Sequence, residues 1–161
     1  ARARADEMQA AVALAFPADE VRTIAVASGK ATGDYIIAHR IPRLAARLLA
    51  WLPASLAAPL LMMAIKRHAW TFIGSGTFAV ENAWAFSIDR RDTDDRIAPP
   101  PSLFVWYGAV FSRLYQRLVE PGCVCRADGS ATVASGGMQT FRIERYPRSV
   151  RSKKMAETES A

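Results

Sequence analysis

Residues 72–88 read FIGSGTFAVENAWAFSI, and the fold turns on how this run is parsed. Its first half, Gly74-Ser75-Gly76-Thr77-Phe78-Ala79, fits G-x-G-x-x-A. That spacing holds a dinucleotide pyrophosphate only where it joins a strand to a helix. The second half denies that setting. Phe78, Val80, Trp84, Phe86 and Ile88 alternate with smaller or polar residues, the period of a strand. A helical pattern, not a strand, ends a few residues before Gly74. The helix N-terminus that would face the phosphates is therefore missing. The glycines read as a turn, or as a place where a neighbour approaches the backbone closely. The strand run is either one bent strand or a hairpin turning near Glu81-Asn82.

Working back toward the N-terminus, residues 6–15 look helical and Pro17 interrupts them. Asp19 and Glu20 favour a new helix start through the dipole. Val21, Ile24, Ser28, Tyr35 and Ile36 keep helical spacing as far as His39, and Gly29 and Gly33 inside it suit close helix–helix approach. Pro42 begins another helix, with Leu44, Leu48 and Trp51 expected inward and Arg43 and Arg47 outward. Pro53 breaks it, and a further helix runs from about 54 to 68. Its last turn, Lys66-Arg67-His68, suits the negative end of the dipole. The uncharged run 48–65 falls short of the ~20 residues of a spanning helix and contains two prolines. Two short helices on a core, with at most peripheral membrane contact, fit it better.

Toward the C-terminus, residues 89–101 form a charged, proline-rich loop. Ser102 is a candidate cap for the next helix. There Leu103, Trp106, Tyr107, Val110, Phe111, Leu114, Tyr115 and Leu118 make a wide apolar stripe, with Ser112, Arg113, Gln116 and Arg117 facing away. Pro121-Gly122 ends it, and short strands follow at about 122–127 and 138–145. The expected architecture is α+β: helices packed on a small antiparallel sheet of about four strands, in a single domain over residues 1–146. The remainder, 147–161, has nothing to bury and reads as a disordered basic tail.

The chain has 161 residues, a net charge of +6 and a sequence pI near 9.8. Much of the positive excess lies at the ends, and no nucleic-acid-binding motif accompanies it, so no nucleic-acid partner is expected. Cys123 and Cys125 make no disulfide framework, which fits a reducing cytoplasm. The opening, ARARADEMQA, has no initiator methionine and starts mid-pattern, so preceding sequence is expected.

Three words in order, TGDYIIAHRIPRLAARLLAWLP, RHAWTFIGSGTF and WYGAVFSRLYQRLV, resemble the bacteriochlorophyll 4-vinyl reductase family of photosynthetic bacteria. The resemblance runs from about residue 10 to 145. It implies a four-vinyl-reductase domain, related in fold to a vesicle-tethering subunit and to aromatic-sensor domains, and often paired as a homodimer. It also implies a role in bacteriochlorophyll synthesis, with a magnesium tetrapyrrole as ligand and other pathway enzymes as partners. The family name implies reduction of a ring vinyl to ethyl. That chemistry needs a hydride or electron source, and no nicotinamide, flavin or iron–sulfur motif is read here. The leading expectation is thus a protein that binds a tetrapyrrole such as divinyl chlorophyllide and presents it to pathway enzymes. The alternatives are the reductase itself, using an external reductant, and a small-aromatic sensor or scaffold. The sensor relatives hold a metal on a scattered cysteine and acid pattern. Cys125-Arg126-Ala127-Asp128-Gly129 matches its C-x-A-x-G part, and Glu120 is a candidate acid. The first cysteine is absent, and Gln139, two before Phe141, replaces the last. No metal site is expected.

A chlorin needs an aromatic-lined slot, an axial imidazole and a cation at the mouth. His68 beside Trp70 and Phe72 is the first candidate, against the plainer role of a helix C-cap. His39 is the second, with the same plainer role. Arg67 or Lys66 would meet a propionate, or simply be solvated. Trp106, Tyr107 and Phe111 would line the slot, or be ordinary core. The two cysteines read as inert thiols, and no catalytic residue is assigned.

Overall fold

The structure, a computed structural model, describes residues 3–68, 76–90, 99–128 and 137–146. Trp70, Phe72, Gly74, Ser75 and the 147–161 tail lie outside the described residues. In chain order come α1 (Ala3–Ala15), α2 (Ala18–His39), α3 (Arg43–Trp51), α4 (Ala54–His68), β1 (Thr77–Asn82), β2 (Ala85–Asp89), α5 (Pro101–Leu118), β3 (Cys123–Ala127) and β4 (Met138–Arg145). The four strands form one antiparallel sheet in the order β1-β2-β4-β3. The expected α+β class holds.

The alternating run resolves into a hairpin. β1 and β2 pair from Thr77↔Asp89 to Asn82↔Ala85, with an irregularity between Val80 and Asn82. The chain turns over Ala83-Trp84, and the Trp84 amide donates to Asn82 Oδ1 at 2.8 Å, the local side-chain bond that makes asparagine a turn residue. Gly76 lies just before β1.

α5 is the organising element. One side packs on the sheet and the other on α2. The sheet side is aromatic: Phe111 stacks on Phe86 at 4.1 Å between ring centroids, Phe86 on Phe141 at 5.0 Å, and Phe78 lies 5.3 Å from Phe86. Cys123, Cys125, Phe141 and Ile143 complete this layer, pointing in at alternate positions of β3 and β4.

The α2 side is built on small residues. Val21, Ala25, Gly29 and Gly33 recur every fourth position and are buried. A Cβ on Gly29 would stand 2.7 Å from Ala109 Cβ and from the Trp106 carbonyl oxygen. One on Gly33 would stand 2.7 Å from Arg113 Cβ. The missing side chains let the two backbones approach, as the glycine spacing predicts. The buried row is one position off the expected stripe, because small residues set the helix rotation, and Tyr35 is left exposed. Arg113 Nε donates to Asp34 Oδ1 at 2.8 Å across the same seam.

Three further expectations are corrected. Leu44, Leu48 and Trp51 do not point inward; they are 81%, 58% and 92% exposed, and Leu49 is the residue α3 buries. Ser112 does not face solvent. Its hydroxyl accepts from the Cys125 amide at 2.8 Å, and Gln116 Nε2 donates to the Cys123 carbonyl at 2.9 Å. Both side chains therefore fasten edge strand β3 to α5. Ser102 does not cap α5: Pro100 holds the N-cap, Pro101 opens the helix, and Ser102 is buried.

Candidate functional site

The sequence-named residues fall in two separate settings. His68 ends α4, exposed, beside exposed Lys66 and Arg67. An imidazole and two cations thus share the last turn of one helix, where unpaired carbonyls favour positive charge. Trp70 and Phe72, the aromatic half of this cluster, lie outside the described residues. His39 ends α2, also exposed. Its ring stacks on Tyr35 at 4.4 Å, and its Nδ1 lies 3.1 Å from the Tyr35 carbonyl oxygen. This histidine is engaged with its own helix.

Trp106, Tyr107 and Phe111 are core residues of α5, fully or nearly fully buried. Trp106 meets Tyr107 edge-on at 5.1 Å. Arg90, missed as part of a charged loop, is buried and directs Nη1 to the Tyr107 hydroxyl at 3.5 Å. Its backbone amide donates to the Gly137 carbonyl at 2.7 Å. The same end of α5 carries an unexpected polar feature. The Trp106 indole N–H and the Ser102 hydroxyl, one turn apart, are buried without hydrogen-bond partners among the described residues, as is the Gln9 amide of α1. α1 packs against α5. Each unpaired group costs about 1–3 kcal/mol. Nothing in residue spacing announces this: Gln9 sits in a helix with no apolar stripe to mark its inner face.

The cysteines are chemically quiet. Burial pushes the Cys123 thiol up to about 11, with Glu120 adding to the effect, and burial pushes Cys125 up further still. Burial likewise raises the Tyr115 phenol, which donates to the Ala83 carbonyl at 2.5 Å. Glu120 pairs with Arg145 at 2.7 Å, and Gln139 Nε2 bonds the Asp128 and Thr140 carbonyls. Among the described residues no three His, Cys, Asp or Glu side chains converge as metal ligands.

The hollows of the described surface include one on the sheet and one on α3. One, of about 170 Å³, lies on the sheet among Val80, Glu81, Phe86 and Thr140. It is smaller than the ~300–1,000 Å³ of ordinary ligand pockets. The other, of about 520 Å³, is an open apolar shelf on α3 formed by Arg47, Leu48, Ala50 and Trp51. Periodicity alone misplaces this shelf, because α3 has apolar residues on both faces.

The chain is similar to two curated proteins, each called "Bacteriochlorophyll synthase 23 kDa chain". The Rhodobacter capsulatus protein is 46% identical over 111 residues, covering 68% of this chain and 52% of the relative. The Cereibacter sphaeroides protein is 42% identical over 123 residues, covering 75% and 58%. The chain thus spans little more than half the length of these relatives. No family model matches it, and no solved structure matches it.

Proposed function

We propose that this chain serves bacteriochlorophyll biosynthesis by binding a magnesium tetrapyrrole such as divinyl chlorophyllide and presenting it to other enzymes of the pathway. The observation that carries the reading is the similarity to the two bacteriochlorophyll synthase chains over 68–75% of this chain. The last turn of α4 offers compatible chemistry. His68 is the residue that would ligate the ring magnesium, through a ring nitrogen. Arg67 or Lys66 meets the carboxylate at the ring edge. The burial of Trp106, Tyr107 and Phe111 argues against a contact on α5 and favours this helix end. A homodimer and a cytoplasmic setting belong to the same proposal.

The test is an absorbance titration of the pure chain with divinyl chlorophyllide, with and without NADPH. A saturable shift of the pigment bands without vinyl loss is the expected result. His68→Ala is expected to weaken it and His39→Ala to leave it unchanged. Vinyl loss that requires both protein and NADPH would replace presentation by reduction. The absence of any shift would overturn pigment binding.

A further inference from the structure

We infer that α3 and α4 form an interfacial anchor that lays this protein on a bilayer leaflet rich in anionic headgroups. The inference rests on surface chemistry alone and does not depend on the pigment reading. In α3, Leu44, Leu48 and Trp51 stand within about 60° of one another around the axis, all exposed, with Trp51 at 92%. Arg47 and Arg43 flank them on one side, exposed. In α4, Leu56, Leu60 and Met63 form an exposed stripe that ends at Arg67. The opposite faces are the buried ones: Leu49 in α3, and Ala57, Ala58, Leu61, Met62 and Ile65 in α4. Both helices therefore expose apolar side chains although their core faces are already filled.

Charge identifies the occupant. From residue 35 to residue 80 the sequence has no Asp or Glu, while Arg40, Arg43, Arg47, Lys66 and Arg67 are all cationic. Apolar side chains bordered by arginine stems, with a tryptophan among them, are what an amphipathic helix presents to a headgroup region. A second copy of the chain fits less well. A two-fold interface sets the same patch against itself, facing these cations with cations and supplying no carboxylate from this segment. The helices are also too short to cross. At 1.5 Å per residue, α3 and α4 are about 14 and 22 Å long, against a hydrocarbon core of about 30 Å. No helix among the described residues is long and apolar enough to span. The element lies on the membrane.

Flotation of the full chain with vesicles tests this. The vesicles are pure phosphatidylcholine, or phosphatidylcholine with one quarter phosphatidylglycerol, each in low and high salt. The chain is expected to float with the anionic vesicles in low salt and to be largely released in high salt. Leu48→Ser and Trp51→Ser should each weaken binding about tenfold or more. Arg43→Gln with Arg47→Gln should weaken it about 25-fold, roughly fivefold per charge. Leu14→Ser, at a 90% exposed leucine of α1, should change nothing. All these sites are exposed, and circular dichroism would verify that each variant is folded. The inference is overturned if the parent fails to float with anionic vesicles in low salt, or if the α3 substitutions leave flotation intact. It is equally overturned if sedimentation equilibrium finds a dimer that the same substitutions dissolve.

Discussion

Alanine at Gly29 and alanine at Gly108 should move stability in opposite directions, although both sites are buried glycines in helices that pack together. At Gly29 the new methyl would sit 2.7 Å from Ala109 Cβ and from the Trp106 carbonyl oxygen. Both are rigid parts of α5. Ordinary contact needs about 3.5–4.0 Å, so α2 must withdraw by roughly 1 Å. Overpacking of this kind costs about 1–3 kcal/mol, offset by up to about 1 kcal/mol of better helix propensity. The net expectation is a loss of about 1–2 kcal/mol, which lowers Tm by about 2–8 °C for a chain of this size. At Gly108 the nearest atoms would be the Cys125 carbonyl oxygen and Phe141 Cε1, both at 3.7 Å. That is ordinary contact. Only the propensity gain of about 0.5–1 kcal/mol remains, worth about 1–4 °C upward. Thermal melts followed by far-ultraviolet circular dichroism would decide. A Gly29→Ala chain at least as stable as the parent would refute the argument that absent side chains set the α2–α5 distance. A clear loss at Gly108→Ala would refute the packing on its other side.

Removing the Ser112 hydroxyl by Ser112→Ala leaves the Cys125 amide unpaired in a buried seam; a loss of about 1–3 kcal/mol is expected in urea denaturation, with faster hydrogen exchange at Cys125. Arg113→Met removes the hydrogen bond and charge that hold the Asp34 carboxyl below its ordinary value. A lowered carboxylate stabilises the fold above its unfolded pKa and loses that contribution as pH falls through the folded value. The parent should therefore exceed the variant by about 0.2–1 kcal/mol near neutrality, and the gap should close on acidification below about pH 4. The buried thiols Cys123 and Cys125, both raised, should be unreactive toward a disulfide reagent at pH 8 in the native state and release two equivalents on unfolding.

Several elements were legible because one physical signal governed each. The period-two run made strands of residues 77–89, and that excluded a dinucleotide loop without reference to anything else. The α5 stripe was wide enough to survive any tertiary context. The glycine pair in α2 announced a close neighbour, though not which one. α3 was misread because it is apolar on two sides, and hydrophobicity cannot say which of the two meets the core. Ser112 was misread for the complementary reason: a hydroxyl counts as polar by type, but here it supplies the bond that an edge strand lacks. The candidate site was legible as residue types only. The charged turn at Lys66-Arg67-His68 was placed by its helix end. The aromatic residues of α5 were read as slot lining or as ordinary core, and their burial makes them core, as the apolar stripe that carries them implies.

The strand order has a consequence for synthesis. β4 is the interior strand between β2 and β3, yet it begins at Met138, 49 residues after β2 ends at Asp89. At about 5–20 residues per second, a ribosome needs roughly 2 to 10 s to cover that distance. During this interval the nascent hairpin presents an open backbone edge, and Phe86 lacks the Phe141 ring that stacks on it. Translation speed across residues 90–138 therefore sets how long that edge waits for its partner strand.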